Sequence, residues 1–251
     1  MSDLVKVSDK DGVRTIRMNR ADKKNALNIE MYTALASAVA DANLHRELRC
    51  LLIAGVPGAF CAGNDLKDFQ EAAKGGRGLG DQAVAFLHAL ASCEKPIVAA
   101  AQGVAVGIGT TMLLHCDYVV CGTDAKFSTP FAQLGLMPEA ASSLLMPRLM
   151  GHRHAFALLV MGQPLGPEEA KDGGLVNAIA APSDVDNLAL NAARQIAALP
   201  PEAVLASRRL MRAASKDEIM RRIDDEADHF RDRLRSSEAK AALEAFFNRK
   251  K

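Results

Sequence analysis

Two loops of small residues hold the most chemically informative part of this 251-residue chain. The first is Gly58-Ala-Phe-Cys-Ala-Gly-Asn-Asp-Leu-Lys-Asp68, and the second is Gln102-Gly-Val-Ala-Val-Gly-Ile-Gly109. A loop that leads into a helix leaves backbone N–H groups without intrahelical partners, and two such loops can aim those groups at one point. Paired donors of that kind stabilise an oxyanion without any charged side chain. Ordinary turn formation is the competing account of the glycines, and for Gly107 alone it serves equally well. A carboxylate follows in Thr129-Pro-Phe-Ala-Gln-Leu-Gly-Leu-Met-Pro-Glu139. By spacing alone Glu139 caps a helix starting near Ala140, where an acid is favourable at the positive end of the dipole. Phe131, Leu136, Met137 and Leu144 are neighbours able to lift its pKa, which a general base needs.

The elements that must position these residues alternate strand, loop and helix. Val5–Val7 and Val13–Met18 alternate with period two around Asp9-Lys-Asp-Gly12, the pattern of a β-hairpin. Apolar spacing predicts a helix from Ile29 to Leu44, a strand at Cys50–Ala54, a helix from about Gln82 to Ser92 and a strand at Ile97–Ala101. Each loop follows a strand. Asp117–Cys121, Lys126–Ser128 and Leu175–Ile179 read as further strands, so the fold class is α/β. Beyond about Asp184 the pattern is wholly helical, with candidates at 188–198, 202–214, 217–234 and 238–247. The expected division is a core over residues 1–195 and a helical region over 196–251. No sequence repeat is clear enough to count.

Lys+Arg 31 against Asp+Glu 30 leaves a net charge of +1, with no global field to recruit nucleic acid or an anionic membrane. No apolar run reaches the roughly 20 residues needed to span a bilayer, so a cytoplasmic protein is expected. The five cysteines form no Cys-x-x-Cys pair and suit buried thiols rather than a disulfide or zinc site. His152 and His154 lack further ligands at useful spacing and read as surface residues near a helix start.

Met18-Asn-Arg-Ala-Asp-Lys-Lys-Asn-Ala-Leu-Asn28, the first loop, Lys95-Pro-Ile-Val-Ala-Ala-Ala-Gln-Gly103, Gly107-Ile-Gly109 and Cys116-Asp117 together resemble the enoyl-CoA hydratase/isomerase family, the crotonases, over nearly the whole chain. The resemblance implies a spiral of ββα turns, a C-terminal helical region for trimerisation, and assembly as a homotrimer or dimer of trimers. It implies an acyl-CoA thioester substrate, with coenzyme A as part of the substrate and neither metal nor other cofactor. By position, the backbone amides of Ala62 and Ile108 are the oxyanion donors, with Gly63 and Gly109 letting the chain bend around the ligand. A helix beginning near Gly109 would add its dipole. The implied substrate-binding residues are Lys24, Ala26, Leu27, Ala62, Gly63, Asn64, Asp65, Leu66, Ile108, Gly109 and Phe131. Lys24 is the phosphate partner in the first segment, and Lys250 and Lys251 are weaker candidates from the C-terminus. Asp65 and Asp117 can instead hold loop backbones.

Hydratases of the family carry two glutamates where this chain has Thr111 and Phe131, and neither residue can act as a base at neutral pH. The stretch from Thr129 to Ser143 and the triplet Asn64-Asp65-Leu66 are similar to peroxisomal-type 3-enoyl to 2-enoyl-CoA isomerases, whose single catalytic glutamate falls at Glu139. Ala140 and Ala141 stand where those enzymes carry small residues including glycine. The resemblance therefore points to an isomerase. A hydratase or other crotonase-type enzyme, and an acyl-CoA-binding module without chemistry, are the alternatives. A dinucleotide fingerprint at Gly107-Ile-Gly109 fails because Met112 replaces its third glycine, and Ser142 and Ser143 lack a nucleophile elbow, which leaves them first-turn helix residues.

Overall fold

The computed structural model describes residues 2–65, 68 and 80–248. The N-terminal hairpin forms as expected. Strand β1 (Val5–Lys10) pairs antiparallel with β2 (Val13–Met18), from Val5 opposite Met18 to Lys10 opposite Val13. Asp11 and Gly12 between them both have positive φ, 54° and 75°, which matches the twist of the flanking strands.

Strands β3 (Cys50–Ala54), β5 (Ile97–Ala101), β7 (Tyr118–Gly122) and β9 (Ala178–Ala180) continue this into a six-stranded sheet, ordered β1-β2-β3-β5-β7-β9 and parallel from β2 onward. Strands β4 (Ala59–Cys61), β6 (Val104–Val106) and β8 (Lys126–Ser128) form a second, parallel sheet. The chain steps from β3 to β4, β5 to β6 and β7 to β8, each time through a few residues. This is the expected ββα spiral, and its repeat lies in the alternation between sheets rather than in residue identity.

Strands β3 and β5 are buried at every position because both faces of the large sheet are covered. Helix α1 (Ile29–Ala42) and helix α2 (Gly80–Ser92) share one core with Leu51, Ile53, Ile97 and Ala99. Cys50, Leu52, Val98 and Ala100 face the other way, toward Val185, Ala189 and Ala193. Asn28 caps α1, its side chain accepting from the Met31 N–H at 2.9 Å.

Two elements depart from expectation. Only Ala178–Ala180 of the segment around 175–179 is strand, because the Leu175 and Val176 N–H groups close back onto the Ala170 carbonyl behind a short preceding helix. The helix expected near Gly109 is a single turn, α3 (Ile108–Thr111), followed by a 3-10 turn at Met112–His115. It supplies first-turn N–H groups rather than the dipole of a long helix.

Beyond the spiral lie α4 (Ser142–Met150), α5 (His152–Leu159), α6 (Pro167–Asp172), α7 (Val185–Ala198), α8 (Pro201–Ala213), α9 (Lys216–Leu234) and α10 (Ser237–Asn248). Helix α7 runs through residue 195 and belongs to the packing of the large sheet. Helix α9 lies along α2 and reaches α4, where Glu226 accepts from both the backbone N–H and the hydroxyl of Ser143 at 3.0 and 2.5 Å. His152 and His154 are exposed at the start of α5, and all five cysteines are free thiols. No helix among the described residues is long and apolar enough to cross a membrane.

Candidate active site

The small sheet brings the two loops together. Strands β4 and β6 are paired neighbours running in one direction, with Cys61 opposite Ala105, so the chains leaving their C-terminal ends emerge side by side. Strand β8 pairs with β6 in the same sense, and the chain that leaves it delivers Phe131. Three consecutive strand ends thus feed one site, at the carboxyl edge where parallel sheets commonly bind ligands.

Glycine is required where the loops touch. A Cβ on Gly109 would lie 2.4 Å from the Cys61 carbonyl oxygen and 2.9 Å from the Cys61 Cβ. Gly63, at φ 90°, has its missing Cβ position 3.0 Å from the Val106 carbonyl oxygen. Among the described residues, the Ile108 N–H meets no acceptor and is available to a ligand. The Ala62 N–H differs: it donates to the Lys24 carbonyl at 2.9 Å. The role expected for Ala62 therefore requires that bond to open or be shared.

The first segment is fastened to the first loop by its backbone. Leu27 donates to the Gly63 carbonyl and accepts from the Asp65 N–H, both at 2.8 Å. The buried Asn25 side chain donates to the Ala59 and Phe60 carbonyls, both at 3.0 Å. Lys24 and Asn25 adopt left-handed φ values of 48° and 56°, which leaves the Lys24 side chain exposed at the rim. Arg20 reaches both the Ala26 carbonyl, at 2.9 Å, and Asp65, at 2.6 Å. Asp65 thus serves the loop, as does Asp117, which accepts from the Ile97 N–H at 2.8 Å. Leu66, Lys250 and Lys251 lie outside the described residues.

Glu139 does not spend its side chain on a helix cap. Its backbone carbonyl accepts from the Ser142 N–H, at 3.1 Å, while its carboxyl takes a short hydrogen bond from the Thr111 hydroxyl. Burial pushes its pKa up to about 8, with the nearby Glu226 charge adding to the rise and the Thr111 bond opposing it. The residue as a whole stays partly accessible, as a group facing a substrate cavity must. Phe131, Leu136 and Leu144 are buried nearby in the sequence and belong to the same core. Ala140 and Ala141, at φ 63° and 55°, hold the left-handed turn that follows Glu139, an arrangement normally reserved for glycine. His115 secures that turn. Its Nε2 faces the Ala140 carbonyl at 2.9 Å, so this nitrogen must carry the proton, and burial lowers the ring pKa to about 4.

Residues 8–251 match the sequence model of the enoyl-CoA hydratase/isomerase family. The chain belongs to that family. The crotonase fold is shared by OdaA of Pseudomonas aeruginosa, which superposes with a TM-score of 0.93 at 44% identity over 98% of this chain and 99% of the other. The 1,2-epoxyphenylacetyl-CoA isomerase of Escherichia coli is 31% identical over 94% of this chain and 92% of its own length. Enoyl-CoA delta isomerase 2 of Rattus norvegicus is also 31% identical, over 97% of this chain, which spans 63% of that longer protein.

Tyr32 and His115 escaped the reading of the sequence, and the charged stretch over residues 221–235, which read as a solvated or subunit-facing surface, instead buries Glu226. The Tyr32 hydroxyl donates to Asn64 Oδ1 at 2.6 Å, which turns the Asn64 amide nitrogen away from that bond. Arg222 donates to the Ser143 hydroxyl at 3.0 Å. Only His115 left a local signal: it is the one imidazole in the otherwise apolar run Met112–His115, four residues after Thr111.

Proposed function

We propose that this crotonase-family protein is an acyl-CoA isomerase that shifts a double bond from C3 to C2 of an enoyl-CoA. Glu139 as carboxylate takes a proton from C2; the released pair forms a C1–C2 double bond and the carbonyl pair moves onto the thioester oxygen, giving a dienolate. Glu139 then gives the proton to C4, where the C3–C4 π pair takes it. The C1–C2 pair becomes the C2–C3 double bond as the carbonyl re-forms, and the carboxylate is regenerated. The Ile108 amide, with the Ala62 amide once it is released from Lys24, receives the thioester oxygen; a single such donor typically contributes about 3 kcal/mol to the transition state. In this reading the exposed Lys24 meets the phosphates of coenzyme A, and no metal or further cofactor enters the chemistry.

The observation that carries this reading is the position of Glu139, hydrogen-bonded to Thr111 at the end of the Ile108–Thr111 turn, with a pKa near that of a useful base. Thr111 and Phe131 occupy the places where a hydratase would have its two carboxylates, so water would lack the base that activates it. The apolar side chains of Leu210 and Met211, 79% and 85% exposed on α8, offer surface for the proposed homotrimer or dimer of trimers. The test is a pair of substrates. With a 3-enoyl-CoA the conjugated thioester absorbance should rise, and with a 2-enoyl-CoA it should persist. Loss of the 2-enoyl absorbance through addition of water would establish a hydratase instead, and binding without turnover of either substrate would mark a non-catalytic module.

A further inference from the structure

Arg208 and Arg212 stand one turn apart on α8, and both reach the C-terminal end of α2. Arg208 donates to the Cys93 carbonyl at 2.6 Å and to Asp117 at 2.8 Å, and Arg212 donates to the Ala91 carbonyl at 3.3 Å. These bonds cap carbonyls that the helix end leaves free. They do not exhaust the two guanidinium groups. Arg208 Nη2 and Arg212 Nη1 are buried without an acceptor among the described residues, although Arg208 is only 8% exposed. Burial and the charge of Arg208 both lower the pKa of Arg212, and Asp117, ion-paired with Arg208 at 2.8 Å, opposes them.

Both arginines line a cavity of about 310 Å³, together with Arg209 and Lys216; Glu94 and Asp217 are the acidic residues on its wall. The cavity lies before the start of β5, whereas the Ile108 loop follows the other end of the β5–β6 unit. None of the cavity's lining residues belongs to the loops around Ile108 or to the turn at Glu139.

We propose that this cavity binds a small dianionic oxyanion, either inorganic phosphate or the phosphoryl group of a phosphorylated metabolite, between Arg208 and Arg212. A tetrahedral oxyanion offers several acceptors, so one ion can satisfy both orphaned nitrogens at once. Planar guanidinium forks suit that geometry better than an ammonium does. The inference does not depend on the reaction proposed above.

Calorimetric titration and thermal unfolding of the full chain test it. Inorganic phosphate and glycerol 3-phosphate are compared with chloride at matched ionic strength, and the Arg212 variants separate binding in this cavity from binding at any other phosphate-binding group. Saturable binding of either phosphate is expected. At ten times Kd it should shift the folding equilibrium about elevenfold. Binding of inorganic phosphate alone assigns the cavity to the free ion, and tighter binding of glycerol 3-phosphate assigns it to a phosphorylated metabolite. Arg212→Met should weaken binding about tenfold or more, and Arg212→Lys, which keeps the charge without the fork, should weaken it less. No saturation beyond the chloride control, or an unchanged Kd in both Arg212 variants, overturns the proposal.

Discussion

Glu139→Gln should make the protein more stable, and increasingly so as pH rises. The folded state holds the Glu139 proton up to about pH 8, whereas the ordinary carboxyl releases it near 4.5. Between those values the folded chain binds more protons than the unfolded one, so stability falls as pH increases through the window and is level on either side. The window spans 3.5 pH units, and at about 1.36 kcal/mol each the full penalty is roughly 5 kcal/mol. Glu139 retains some access to solvent, which reduces the expected value to about 2–4 kcal/mol. Glutamine has the same shape, accepts the Thr111 hydroxyl through its amide oxygen and carries no charge. Urea unfolding of both proteins at pH 4.5, 6, 7.5 and 9, at one protein concentration, measures the difference. The two midpoints should nearly coincide at the lowest pH and separate steadily until about pH 8. A constant gap across the series, or a less stable variant at pH 9, would refute the reasoning that the site stores this cost in an ionised, desolvated carboxylate.

Other outcomes follow from the same geometry. Because the Thr111 hydroxyl favours the ionised form of Glu139, Thr111→Val should move the rising limb of the kcat/KM profile to a pH above that of the parent, about 8, and lower the rate at pH 7; an unmoved limb would remove Thr111 from the proton path. Glu226→Gln should move that limb down, since the Glu226 charge helps raise the Glu139 pKa, and a pH–rate series reads the change directly. Gly109→Ala places a Cβ 2.4 Å from the Cys61 carbonyl oxygen, which forces the two loops apart. Thermal unfolding should show a loss of several kcal/mol, and calorimetry should show weakened coenzyme A binding.

Much of this arrangement was legible because local rules and tertiary demands agree. The β3 and β5 runs are continuously apolar because both sheet faces are covered, and the Asp11–Gly12 turn announces its hairpin. Glycine at 63 and 109 was read as letting the chain bend around a ligand, whereas the contacts with Val106 and Cys61 show that it also lets the two loops touch. What stayed hidden depends on long-range partners. Leu175 and Val176 look like strand residues until their N–H groups are taken by Ala170, and nothing local reveals it. Glu226 lies 83 positions from Ser143 and sits among ordinary helix charges, so its buried role appears only once α9 is packed. The bond from Ala62 to Lys24 is equally invisible in a residue pattern, because backbone amides leave no signature in side-chain identity.

The most direct measurement is the rate at which Glu139→Gln converts a 3-enoyl-CoA to its conjugated isomer, taken alongside coenzyme A affinity in the same preparation. The account predicts that turnover falls by about 10²–10⁴-fold or more while affinity stays within a few-fold of the parent protein. A variant that still isomerises near the parental rate, with binding intact, would contradict the assignment of the proton shift to this carboxylate.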